Sequence, residues 1–399
     1  MLRLAACLAC TLILAACAAE DGGGALHVDS YVSTRDSAGH IIVESTAPAW
    51  SEDSRWSVAA VPLIRIGAVE GDPAAEFTRI IRLFLLHDGG VAVADFGPHE
   101  VRYFDAAGRH VATAGGQGGG PGEFGRLREV LRGRGDTLVV HDPTLDRYTV
   151  LAPDGSLART VSDSRLVTAV VGERWVAARR LPGAVPDVLG TIVQDTVALV
   201  AFTPGAATED TLGLHPADAS FYAEATMGGN TSRSVFPLPY APSLVVTGNG
   251  ERVVLSHGRT FELLIYGRAA SAPQHVRRPG QRTPITAADR EAFLDFRYGP
   301  RLAAGYIGTA YADAPFPDSA GTFDRVIVAA DGPLWARHYV MPGHEARTWS
   351  IFAANGMWLG EVSTPAELDV MDVAYGRLAG VRRNELDVPF VEVYDLHEW

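Results

Sequence analysis

The 399-residue chain contains no lysine, so its 34 basic residues are all arginine. That removes Schiff-base chemistry and the phosphate-gripping lysine of a Walker loop. Cysteine is nearly as scarce: Cys7, Cys10 and Cys17 are the only three, and all lie near the N-terminus. The rest of the chain has no partner for a disulfide and must be held by packing. No H-E-x-x-H, G-x-S-x-G or paired-cysteine metal pattern occurs beyond that stretch. Positive charge is in the minority, with 47 acidic residues giving a net charge of −13. Such a chain repels phosphate backbones, which argues against nucleic acid as a partner. Asparagine is scarce too, which thins the supply of neutral amide ligands for a metal.

What is present begins with an export signal. Arg3 supplies a short basic start, Leu4 to Leu14 is almost wholly apolar, and the run stops before Glu20 and Asp21. This is too short for a membrane-spanning helix, which needs roughly 20 apolar residues. Leu14-Ala-Ala-Cys17 resembles a bacterial lipobox. The resemblance implies a signal peptide over residues 1–16, a lipid on Cys17 and a tether over 17–39 that includes Asp21-Gly-Gly-Gly-Ala25. The expected place is the bacterial cell envelope, outer membrane or cell surface, with the membrane engaged through that lipid.

The chain repeats itself. Residues 64–157 overlay on themselves at a shift of 47: Glu76-Phe77 falls on Glu123-Phe124, Arg79 on Arg126, Val91 and Val93 on Leu138 and Val140, Asp95 on Asp142, and Gly108 on Gly155. Each unit alternates apolar and other residues over short runs, the period of strands, broken by turns such as Asp88-Gly89-Gly90 and Pro153-Asp154-Gly155. Four short strands in 47 residues is the size of a propeller blade. Later units keep the layout: Gly172 to Arg179, Val253 to Tyr266, and Asp331 to Gly356. The last, Leu368 to Leu396, offers only three strands. Its fourth is expected from the N-terminus, at Pro62 to Ile66 or at His40 to Glu44, so that both chain ends close the ring and the tether leaves near the closure.

The fold expected is therefore all-β: a six-bladed β-propeller of four-stranded blades over residues 40–399, with one helical insertion at about 283–322. The chain is 47% hydrophobic, ample for such a core. In the insertion, Thr286 with Asp289 three residues on forms a helix N-terminus, and Ala287 to Phe296 has helical spacing. It reads as a packing flap or as a lid over one face.

The segment Gly115-Gly-Gln-Gly-Gly-Gly-Pro-Gly-Glu-Phe124, the Asp-Gly hairpins and the blade length resemble NHL-like six-bladed propellers. Arg35 to Glu44 is similar to the opening of bacterial lipoproteins of that group. The resemblance implies fold rather than function, because such propellers include binding platforms, lactonases, amidating lyases and scaffolds. Gly120 to Gly125 formally matches the dinucleotide fingerprint, but no helix is expected after it, so it reads as a connector between blades.

Topology offers a better lead to a site. Aligning the units at the end of the second strand gives Asp95, Asp142, Arg179, Ser256 or His257, His338 and Arg382, a polar row expected around the central depression. The two aspartates also suit loop capping. Two classes of function are carried forward. In the first, a non-enzymatic, envelope-anchored module binds a small polar ligand or a protein and needs no cofactor. In the second, a hydrolase or lyase of the lactonase or amidating-lyase kind uses a divalent metal in the central channel, with Asp95, Asp142, His257 and His338 as available donors. The first is favoured.

Overall fold

The computed structural model describes residues 31–51, 55–181, 183–184, 186–267, 272–300, 305–343 and 346–398. Cys17 and the lipobox lie outside them. The described chain is a β-propeller: among the described residues, six of seven sheets contain a run of four antiparallel strands, two of them with further strands at the edge.

Sheet 1 holds Ile80–Leu85, Val91–Asp95, Glu100–Phe104 and His110–Gly115 from inner to outer strand, and sheet 2 holds Glu129–Arg132, Leu138–Asp142, Arg147–Leu151 and Leu157–Ser162. Sheet 3 comprises Val167–Val171, Arg174–Leu181, Thr196–Phe202 and Glu209–Pro216; sheet 4 comprises Val245–Gly248, Arg252–Ser256, Glu262–Gly267 and Gln274–Arg277. Sheet 5 comprises Phe323–Val328, Leu334–His338, Ala346–Phe352 and Trp358–Pro365. Sheet 6 takes Asp369–Ala374, Arg377–Arg383 and Pro389–Glu398 from the C-terminus. Its fourth strand is Ile64–Ile66, paired antiparallel with Val391–Val393. The closing strand thus comes from the N-terminus, at the first of the two positions expected.

The inner strands touch in sequence order and sheet 6 touches sheet 1, so the ring is closed. Each neighbouring pair of sheets shares its own apolar core, six in all. This explains why Val91–Asp95, the second strand of sheet 1, is almost continuously apolar: both faces of the sheet are covered. In Val91–Asp95 all five residues are buried. Val91 and Val93 enter the core shared with sheet 6, and Ala92 and Ala94 the core shared with sheet 2. The outer strand Leu157–Ser162 is largely exposed. At the closure, Ile64 and Ile66 are 6% and 3% exposed and contribute about 1.5–3 kcal/mol each. They pack on Gly108, where a Cβ would stand 2.8 Å from Ile64 Cγ2 and where φ is +77°.

The N-terminal segment differs from expectation. His40–Ser45 does not help to close the ring; it pairs parallel with Gln274–Arg277 at the outer edge of sheet 4, carrying Val32–Ser37 as a hairpin partner. The chain then bonds the outer strand of sheet 5 through Ala49 and Trp50. It next pairs Trp56–Val58 with Leu396–Glu398 before reaching the closing strand. Residues 31–51 and 55–66 thus form a strap along the rims of sheets 4, 5 and 6, covering edges that would otherwise offer unpaired backbone groups. The described chain starts at sheet 4, two sheets from the closure where the tether was expected to leave.

A second difference concerns the insertions. Helix α1 (Ala287–Tyr298) has the expected start, with Thr286 and Asp289 forming a complete capping box. It does not stand alone. The short helix α2 (Tyr306–Tyr311), the hairpin Ser220–Met227/Asn230–Pro237 and the strand Ile192–Val193 join it. The two helices and the hairpin make a seventh core around Phe221, Phe236, Tyr240, Phe293 and Tyr311, with Ile192–Val193 only edging the hairpin.

Candidate binding face

Strand alternation divides the loops between two faces. Turns between second and third strands, and connectors from one sheet to the next, share one face, called here the connector face. The three segments that build the seventh core are the connectors 3–4 and 4–5 and, through Tyr339 and Met341, the second-to-third loop of sheet 5. All belong to the connector face. The cap therefore stands on one side of the ring only, over sheets 3 to 5.

The six residues of the polar row lie on this face but do not form one pocket. Asp95 and Asp142 are fully buried. Asp95 accepts from the backbone N–H groups of Thr78 (2.9 Å), Arg79 (2.8 Å) and Gly97 (3.3 Å), and from the Thr78 hydroxyl (2.8 Å). Asp142 accepts from the repeat-equivalent N–H groups of Gly125 (2.7 Å), Arg126 (3.2 Å) and Thr144 (3.0 Å). Each carboxylate ties its own loop to the preceding connector.

The other four are held by side chains of other strands and connectors. Arg179 meets Glu209, and Arg382 donates to Glu392 (2.9 Å), itself bonded by the Tyr394 hydroxyl (2.6 Å). His257 Nε2 lies 3.0 Å from His215 Nδ1, whose Nε2 is 3.1 Å from the Tyr266 hydroxyl. Burial, with the neighbouring His257, pushes His215 down to about 4.

His338 Nε2 lies 2.8 Å from Arg278 Nη2 and 2.8 Å from the Ser350 hydroxyl. A guanidinium can only donate, so Nε2 is the unprotonated nitrogen. Burial and the Arg278 charge push His338 down to about 4, although Glu361 stands 3.4 Å away. The carboxylate is half-open to solvent and also serves Arg278, so desolvation prevails. Asp95, Asp142, His257 and His338 are thus all committed elsewhere. Among the described residues no three His, Cys, Asp or Glu side chains are placed to hold a metal ion.

The central channel is walled instead by the inner strands. At the connector-face mouth, Arg82 pairs with Glu129 of the next sheet (2.8 Å) and Arg325 with Asp369 of the next (2.7 Å). Burial holds Arg325 below its usual range, opposed by Asp369 and reinforced by the charges of Arg337 and Arg82. Deeper in, Arg132 binds Asp372 (2.7 Å), Asp136 (2.8 Å) and the Leu85 carbonyl (2.8 Å), joining sheets 1, 2 and 6. Gly248 lets sheets 3 and 4 close on each other there, since a Cβ would stand 2.9 Å from that of Ala169. The row predicted from sequence thus lies one layer outside the ring of charges that faces the channel. The signal for the inner ring was present, because Arg82 and Glu129 overlay at the 47-residue shift.

Neither a protein-family profile nor a curated protein matches the chain. Among solved structures it is similar to a candidate exported protein from Bacteroides fragilis, at 10% identity and a TM-score of 0.49, over 90% of this chain and 99% of that one. It is also similar to a DUF4221-family member from Bacteroides vulgatus, at 9% identity and a TM-score of 0.43, over 88% and 100%. A virginiamycin B lyase variant from Staphylococcus aureus, crystallised with quinupristin, is similar at 11% identity and a TM-score of 0.34, over 82% of each chain. These likenesses carry no statement about activity. The propeller assignment itself rests on the sheet order, the closed ring of inner strands and the shared cores.

Proposed function

We propose that the chain is an exported, lipid-anchored six-bladed propeller of the NHL-like kind, and that its connector face is a binding face for a small polar ligand or a protein at the bacterial envelope. The observation that carries this reading is the one-sided cap. Three separate segments build a second core on the face where the channel mouth carries Arg82–Glu129 and Arg325–Asp369. Ring closure needs none of these segments, and opposite charges at a concave mouth suit a polar ligand with both signs of charge. The metal-dependent hydrolase or lyase reading gains no support, since its four potential donors serve other partners.

Two experiments test the proposal. The Cys17→Ala protein should leave the membrane fraction and become soluble; if it stays attached, the lipid anchor is refuted. Native mass spectrometry of the protein with fractionated envelope extract should find a ligand lost from the Arg82→Ala/Glu129→Ala protein and kept by Asp154→Asn, a substitution on the opposite face. A ligand kept by both refutes the face assignment. A ligand that is turned over revives the enzyme reading.

A further inference from the structure

Arg79 and Arg126 occupy equivalent positions in the repeat, each just before an inner strand. Their backbone N–H groups donate to Asp95 and Asp142, which fixes where both side chains start. Both guanidiniums lie over one ring, Phe96, at 5.0 and 6.0 Å from its centroid. Phe96 sits in the second-to-third loop of sheet 1, so this group belongs to the connector face, away from the cap.

Arg82, Arg102, Arg109 and Arg132 in the same two sheets each hold a carboxylate. Arg79 and Arg126 are exposed, and among the described residues no carboxylate lies within ion-pair distance of either. Arg128, two residues beyond Arg126, is likewise exposed and without a carboxylate partner; its charge adds to burial in holding His141 below its usual range. A net charge of −13 makes carboxylates plentiful, yet here cations are gathered and left unneutralised. Stacking on Phe96 orients the guanidiniums, at about 0.5–1 kcal/mol each, without using their N–H donors.

We propose that Arg79 and Arg126, held on Phe96, form an oxyanion subsite at the rim of the connector face, taking a phosphate group of the bound ligand. Two oriented forks suit a tetrahedral dianion, because each can give paired N–H···O bonds. This deepens the binding-face reading and rests on it for its biological meaning, while the anion site itself can be tested alone.

The test is calorimetric titration of the intact soluble protein (Cys17→Ala) with inorganic phosphate and with pyrophosphate, at constant ionic strength kept with chloride. Saturable one-site binding is expected, tighter for pyrophosphate and weakened at least tenfold in the Arg79→Gln/Arg126→Gln protein. Phe96→Leu should weaken it several-fold. Arg159→Gln, which removes an exposed arginine from the outer strand of sheet 2, should leave it unchanged. Absence of saturable binding, or equal weakening in the Arg159 variant, overturns the subsite and leaves the face assignment to the mouth variants. Conversely, a phosphate site lost in the double variant, together with an envelope ligand indifferent to the mouth variants, upholds the subsite and refutes the face assignment.

Discussion

Asp95 and Asp142 each gather several backbone N–H groups onto one buried carboxylate, and no neighbouring residue can replace that service. Alanine at either position leaves those donors without their charged acceptor. Hydrogen bonds to a charged acceptor are worth about 1.5–3 kcal/mol, so each variant should lose roughly 3 kcal/mol in urea unfolding, with asparagine losing about half as much. The histidines make a pH prediction. His215 and His338 are held neutral down to about 4, whereas an unfolded histidine takes its proton near 6.5. Between those values the unfolded chain binds more protons, so their contribution to stability is intact above about pH 6.5 and is lost as the pH falls to about 4. The loss is on the order of 2–3 kcal/mol per histidine. Comparing the pH dependence of unfolding in the natural protein and in His338→Gln isolates one of them; identical slopes would contradict the assignment. The aspartates were legible because a loop cap is a local device that repeats with the blade. Arg82 and Glu129 were passed over because repeat detection rewards likeness, and partners across two sheets are unlike by necessity. The settings of Arg179, His338 and Arg382 depend on Glu209, Arg278 and Glu392, which no local pattern links to them.

At the level of elements, the blades were readable and the additions only in part. The start of α1 was visible because a capping box spans four residues. The hairpin Ser220–Met227/Asn230–Pro237 was not separated from the blades, since its strands share their two-residue period and Gly228-Gly229 is one more glycine turn. Only its packing against helices, through Phe221 and Phe236, sets it apart. The strap was half legible: Ile64–Ile66 was found, whereas His40–Ser45 carries the same β-branched pattern and nothing local tells which sheet it joins. These two strands should differ in consequence. Ile64→Ala/Ile66→Ala removes apolar volume from the core between sheets 6 and 1, at about 2–5 kcal/mol per site. Starting the chain at residue 46, which removes the hairpin from the rim of sheet 4, should lower the melting temperature by only a few degrees. Equal losses in calorimetric melts would mean that the closing strand has no special weight.

In the whole molecule, stability is shared among six cores of similar make, and each sheet relies on both neighbours. Unfolding should therefore be cooperative, and a chain starting at residue 68 should not melt as a stable body with one loose sheet. It should expose the Pro389–Glu398 edge and self-associate, visible as higher-order species in size-exclusion chromatography; a monomeric, sharply melting product would refute this. The closing strand has a further consequence, in the order of events during biogenesis. Ile64–Ile66 leaves the ribosome long before its partner Val391–Val393. This is among the longest-range contacts of the described chain, and such contacts are slow and leave edges open meanwhile. A chain of this design should lean on a chaperone during that interval, and shortage of one should show first as proteolysis near the unpaired Pro389–Glu398 strand.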